Sequence, residues 1–202
     1  MSVVPATMAR MTTGALLEPF VVPDVTAWRA WLDDHEDTSD GVWLVLAKKG
    51  TTDPTSLTYA QALDEALCSG WIDGQKRSLD AAVFLQRFTP RRPRSMWSAR
   101  NVGLVAQLAG AGRMRPRGQR EVDAARADGR WDRAYAGPAD AAVPADLLAA
   151  LDDVPGLRAH FEALPSSARY SVLHPLMTAP NEQTRQRRLA RLVERLAADL
   201  PA

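Results

Sequence analysis

The sequence predicts an α+β fold: a small mixed sheet of about three strands covered by helices, followed by an all-helical C-terminal unit. Three observations predict it. "GVWLVLAKKG" (41–50) is a short, continuous apolar run between glycines, the pattern of a strand buried on both faces. "WIDGQKR" (71–77) and "AVFLQRFT" (82–89) follow as two strands joined by the short loop "SLDA". From residue 145 onward the apolar residues recur only at helical spacing.

Each element has its own signal. "PDVTAWRAWLDDHED" (23–37) places Pro23 and Asp24 at a helix start, with Trp28, Trp31 and Leu32 on one stripe. The strand at 41–50 leads into "GTTDPTS", a loop by composition. In "TYAQALDEALCSG" (58–70), Thr58 and Gln61 have capping-box spacing. Tyr59, Leu63, Ala66 and Leu67 form the apolar stripe of that helix, and Gly70 stops it. After the two later strands come helices at 98–109 and 117–128, separated by "GAGRMRP", the second ended by Gly129. "AYAGPADAAVP" (134–144), rich in Ala, Pro and Gly, is the linker. Helices follow at about 145–152, 156–164, 166–178 and 181–199, the last with a packing stripe of Leu189, Leu192, Val193 and Leu196. The expected organisation is a loose tail at 1–20, an α+β core at 21–137, a linker at 138–144 and a helical unit at 145–202. Met8 and Met11 are alternative starts within the tail.

Composition narrows the function classes. A chain of 202 residues with 46% hydrophobic content buries a sufficient core without staples. Cys68 is the one cysteine, so no internal disulfide forms, which fits a reducing compartment. With no His near it in sequence, it reads as a small buried residue and not as an activated thiolate. His35, His160 and His174 are isolated and lack metal-ligand spacing, so no metal site is expected. Walker, GxGxxG and GxSxG patterns are missing, so no cofactor is expected, and serine hydrolase or nucleotide-dependent kinase chemistry has no support. The N-terminus lacks a basic start followed by an apolar core, and no run approaches a membrane span. A cytoplasmic location is expected.

The net charge of +1 hides a strong segregation. Residues 18–40 carry seven acidic side chains against Arg29, while residues 71–100 carry seven basic against two acidic. A charge run of this kind is most often a solvated face. A right-handed crossover from strand 41–49 through helix 58–70 to strand 71–77 gives it another use. The two strands then run parallel, and Lys48, Lys49, Lys76 and Arg77 gather at one edge beside the amides that follow Thr58. Cations at a helix amino end suit an anion. Among 25 basic residues only Lys48, Lys49 and Lys76 are lysines, and all three fall at this edge.

The returning strand carries Arg87 to the other edge, with Arg91, Arg92 and Arg94 of "FTPRRPRSMWS" held stiff by Pro90 and Pro93. They are expected near Trp71, Asp73 and Trp97. Strand alternation assigns Trp71, Asp73, Gln75 and Arg77 to one face and Ile72, Gly74 and Lys76 to the other. Asp73 is then a general base, a hydrogen-bond acceptor for a ligand, or the ion-pair mate of Arg87. Trp97 either stacks on a ring of the ligand or caps the core. One aromatic inside the arginine loop of a nearly neutral chain is thin support for nucleic-acid binding.

These segments carry a resemblance. "GVWLVLAKKG", "TYAQALDEALCSGWIDGQKRSLD", "FLQRFTPRRPRSMWS" and "DGRWDRAY" resemble the bacterial YdeI/OmpD-associated family, also labelled bacteriocin-protection proteins. "VPADLLAALDDVPGLRAHFEALPSSARYSVLHPL", continued by "EQTRQRRLARLVERL", is similar to the helical domain that defines it. The likeness spans roughly residues 24–199 and departs at "HPLMTAP" (174–180), where a more polar segment is expected. It implies a role in resistance to antimicrobial peptides or envelope stress, and it brings no catalytic residue. The expectation is a cytosolic protection protein that binds an anionic small molecule through the basic sheet site. The alternatives are an enzyme using Asp73 with a lysine, and a nucleic-acid or acidic-protein binder using Arg91–Arg94.

Overall fold

A computed structural model describes residues 18–200. The tail expected at 1–20, with Met8 and Met11, lies outside the described residues except for its last three. Two of those three, Pro19 and Phe20, form an element the sequence did not signal. The strands are β1 (Pro19–Phe20), β2 (Val42–Ala47), β3 (Trp71–Ser78) and β4 (Val83–Pro90). The helices are α1 (Val25–His35), α2 (Tyr59–Cys68), α3 (Ala99–Gly110), α4 (Pro116–Ala127), α5 (Ala145–Asp152), α6 (Leu157–Ala163), α7 (Ser166–Met177) and α8 (Glu182–Ala198). The result is a mixed four-stranded sheet with helices in the N-terminal part, followed by an all-helical C-terminal region. None of the described helices is long and apolar enough to cross a membrane.

The sheet order is β1-β2-β4-β3. β1 pairs parallel with β2, making four strands where about three were expected; two residues are too few to show a period. β2 and β3 both pair antiparallel with β4, so they run in one direction as the crossover reading requires, but β4 lies between them. Their carboxyl ends still share an edge, and the amide of Ala47 donates to Leu57 O at 2.9 Å, which holds the start of α2 there.

The chain divides into two compact units, one with the described residues up to Ala66 plus Trp71–Pro90, the other with Leu67–Gly70 and the chain from Arg91 onward. In the first, Asp24 caps α1 by accepting from the Ala27 amide at 2.9 Å. Trp28 and Leu32 are fully buried from that helix. The Trp28 ring meets Phe88 of β4 at 5.8 Å and Trp71 of β3 at 6.4 Å, and its indole N–H donates to Ala62 O of α2 at 3.1 Å. β2 is buried on both faces, as its unbroken apolar run predicts.

In the second unit the carboxyl end of α2 is capped by main-chain and arginine donors. Arg115 N–H donates to Cys68 O at 3.0 Å, Arg91 N–H to Gly70 O at 3.0 Å, and the Arg117 guanidinium to Ser69 O at 2.7 Å. These partners satisfy carbonyls that a helix end leaves open. Gly118 permits this approach of α4, because a Cβ there would stand 2.1 Å from Cys68 O. Cys68 is buried, as its sequence setting suggests. Further on, Leu147 and Leu151, Leu157 and Phe161, Leu173 and Leu176, and Leu189 to Leu196 bring α5 to α8 around one core.

Candidate functional site

β3 departs from a regular strand where the charged residues begin. Asp73 pairs with Phe88 and Lys76 pairs with Gln86, so Gly74 and Gln75 together oppose Arg87. This is a β-bulge: two residues face one, and the alternation of side chains shifts by a position. Residues directly opposite share a face. Asp73 and Lys76 therefore lie on the same face, with Phe88, Gln86 and Phe84, while Arg77 lies on the other face with Leu85. The expected row of Trp71, Asp73, Gln75 and Arg77 is thus corrected. Arg77 leaves that face, Gln75 sits in the bulge, and Lys76 joins it.

The bulge is held from inside the sheet. Gln86, 3% exposed, donates its amide to Gly74 O at 2.8 Å and to Gln75 O at 3.2 Å. Those carbonyls would otherwise have lost their ladder partners. Beside them Tyr59, in the first turn of α2, donates its hydroxyl to Asp73 Oδ2 at 2.8 Å. Lys76 Nζ stands 4.3 Å from the centroid of the Phe84 ring. Tyr59, Asp73, Gly74, Lys76, Phe84 and Gln86 line a cavity of about 280 Å³. A carboxylate, a phenol and an ammonium thus face one small space with an aromatic wall. Such a space can hold an anionic group at Lys76 and a hydrogen-bond donor at Asp73.

The other expected site residues are distributed more widely. Thr58 completes its capping box: its amide donates to Gln61 Oε1 at 3.0 Å and its hydroxyl accepts from the Gln61 amide at 3.4 Å. Lys48 donates its ammonium to Asp80 O in the β3–β4 turn. The Asp80 carboxylate lies below the usual carboxylate range because the Val83 and Ala82 amides donate to it. Lys49 is exposed. Arg77 covers the Trp43 ring at 4.1 Å. Arg87 is not the ion-pair mate of Asp73, because the register sets them on opposite faces, and its guanidinium donates to Asp40 O at 3.3 Å. Burial pushes the Arg87 pKa down against the opposing charge of Asp40.

The two tryptophans are core residues. Trp71 is fully buried, and its indole N–H donates to Glu36 O at 3.1 Å. Trp97 is 1% exposed, with the buried Arg91 guanidinium at 3.5 Å over its ring and Trp131 at 5.0 Å. Arg91 also donates to Met96 O at 3.3 Å, which ties the arginine turn to its own chain. Arg92 and Arg94 remain exposed, Arg94 at a left-handed φ of 69°. Arg92 N–H and Ser95 N–H close that turn on Ser95 Oγ and Arg92 O.

Tyr59, Gly74, Phe84 and Gln86 are lining residues that the sequence did not single out. Tyr59 fits an apolar stripe by its spacing, yet as a phenol in the first turn of α2 it sits at the edge where the lysines are expected. Gln86 had a clearer signal, a lone amide in the apolar strand "VFLQRF". Among the described residues no group of three or more His, Cys, Asp or Glu is placed to hold a metal.

Two family models match the chain. Residues 20–121 match a domain of unknown function (DUF8412), and residues 140–199 match Bacteriocin-protection, YdeI or OmpD-Associated. Neither the curated proteins nor the solved structures give a match. The first model spans the sheet and the cavity, and the second spans α5 to α8. The chain therefore belongs to the family of the domain of unknown function DUF8412, whose model spans half of it, and its helical region at residues 140–199 matches the bacteriocin-protection, YdeI or OmpD-associated domain.

Proposed function

We propose that this chain is a cytoplasmic protection protein that acts by binding an anionic small molecule in the cavity at the edge of the sheet. One observation carries the reading: the bulge at Gly74–Gln75 turns Lys76 toward the same cavity as the Tyr59–Asp73 pair. Among the described residues no carboxylate pairs with the Lys76 ammonium, whose neighbour is the Phe84 ring, so its charge is available to a ligand. The match of residues 140–199 to the bacteriocin-protection, YdeI or OmpD-associated domain supports a protective role. A single buried thiol suits a reducing cytoplasm.

The cavity is small, so the ligand is a metabolite of modest size carrying a carboxylate or phosphate and a donor group for Asp73. Lys48 and Lys49 contribute long-range attraction near the same edge, and Lys76 makes the contact. A thermal-shift screen of phosphorylated and carboxylated metabolites tests this. At least one compound is expected to raise the melting temperature of the wild type. Lys76→Met should abolish that shift, whereas Lys49→Ala should weaken it modestly. A screen without any shift, or a shift that survives Lys76→Met, overturns the reading.

The Tyr59–Asp73 hydrogen bond supports a second reading, in which Asp73 acts as an acid or base on the bound molecule with Lys76 stabilising the developing charge. Conversion of a compound found in the screen, followed by NMR, separates binding from turnover. Asp73→Asn should stop turnover while leaving binding to Lys76 in place.

A further inference from the structure

A second cavity lies wholly in the C-terminal unit, remote in sequence from the sheet. It measures about 250 Å³ and is walled by the segment 138–143, by Leu148 of α5, by Phe161 and Glu162 of α6, and by the first two turns of α7. Its floor is apolar: Phe161 is 1% exposed and Leu173 4%, with Val143 and Leu148 beside them. Tyr170 reaches the lining too, but its hydroxyl donates to Ala136 O at 3.0 Å.

The polar groups at the rim are unequal. Glu162 has its carboxylate engaged by Arg158, whose Nε stands 3.1 Å from Oε1. Arg158 also reaches Asp152 at 2.8 Å. Arg169, half-buried in the first turn of α7, donates one N–H to Glu162 O at 3.2 Å. The rest of its guanidinium fork has no partner among the described residues. A cavity with an apolar floor, a polar rim and one guanidinium fork at its mouth is complementary to a small apolar body bearing a single carboxylate. The fork donates two parallel N–H···O bonds to a carboxylate. A dianion such as phosphate would leave charge uncompensated against the apolar floor, at a higher desolvation cost.

We infer that this cavity is a binding site for a small apolar monocarboxylate, held by Arg169 with its hydrocarbon portion on Phe161, Leu148 and Leu173. Its volume falls just under the roughly 300–1,000 Å³ of sites for drug-sized ligands, so the occupant is fragment-sized. The site is independent of the sheet cavity and of the ligand proposed there. Because segment 138–143 forms one wall, occupancy would also bear on the start of the second family-matched region, at residue 140.

Protein-detected NMR of the full chain tests the inference, with phenylacetate and isovalerate as probes and phenylacetamide as the uncharged control. Millimolar phenylacetate should move the amide signals of 139–143 and 166–173 and leave those of 71–78 in place. Phenylacetamide should bind about tenfold more weakly, the loss expected for one charge-assisted contact. Arg169→Gln should show the same loss for phenylacetate, with an unchanged far-UV spectrum. Three results would overturn it: no movement with either acid, equal binding of acid and amide, or movement centred elsewhere. The acid–amide comparison uses the wild type and so holds even if Arg169→Gln fails to fold.

Discussion

Asp73 and Lys76 are three positions apart, a spacing that sends side chains to opposite faces of a regular strand. They share a cavity because Gly74 and Gln75 together oppose one residue of β4, and Gln86 secures the two carbonyls thereby displaced. Gln86→Leu keeps the side-chain bulk but removes both donors. It should destabilise the fold by about 0.5–1.5 kcal/mol, the net contribution of an ordinary hydrogen bond, measured by urea unfolding. It should also weaken any ligand held at Lys76. Gly118 makes a second residue-scale test. Ala there puts a Cβ 2.1 Å from Cys68 O, so α4 must shift away from the carboxyl end of α2. Overpacking of this kind costs roughly 1–3 kcal/mol, again readable in urea. Neither feature was legible in the sequence. A bulge is defined by the partner strand, and a close helix approach by a segment some fifty positions away, so local spacing carries no trace of either.

Elements, by contrast, were largely written in their own residues. Asp24, Thr58, Ser98 and Asn181 each stand at a helix start and cap it, since a capping side chain bonds an amide only two or three positions on. Gly70 ends α2 with φ of 70°, as the stop signal implied. The short β1 escaped because two residues have no period, and β4 entered between β2 and β3 because strand order is set by the whole sheet. Between helices the clearest electrostatic tie joins α5 to α8: Arg185 grips Asp146 with both nitrogens, one at 2.9 Å. The hydrogen bond from Arg185 is the main reason the Asp146 pKa falls below its ordinary value, burial opposing it. A carboxylate with a depressed folded pKa adds stability above its unfolded pKa, and that stability is lost as pH falls through the folded value. Wild-type stability should therefore drop as pH is lowered from about 4, the ordinary carboxylate range. Asp146→Asn should lose part of that slope while being less stable near neutrality. Thermal unfolding across acid pH checks both, and parallel acid limbs would refute the assignment. The group is partly exposed, so the effect is modest.

At the scale of the molecule, the charge segregation read from the sequence resolves into separate local roles. Lys48 and Arg117 hold main-chain carbonyls, Arg77 and Arg91 lie over indole rings, and Lys76 faces a cavity. The helical core of α5 to α8 is drawn from residues after 140, with the upstream side chains Ala141 and Val143 packed on it. Contacts reach further back as well, among them Tyr170 to Ala136 O at 3.0 Å and the Tyr135 ring to His174 at 4.9 Å. This arrangement makes a definite claim about fragments. A chain beginning at Pro138 retains every buried residue of that core, so it should give a helical far-UV spectrum and a cooperative melt, although a domain of this size is marginal. A chain beginning at Ala134 regains these tyrosine contacts. A hydrogen bond contributes about 1 kcal/mol, and in a domain of 60–100 residues such a gain raises the melting temperature by roughly 4–8 °C. The longer fragment should melt higher by about that interval, and Tyr170→Phe in it should remove most of the difference. A featureless spectrum from both would show that α5 to α8 need the chain before Ala134 to fold. Equal melting temperatures would show that Tyr135 and Ala136 rest on the helices without stabilising them.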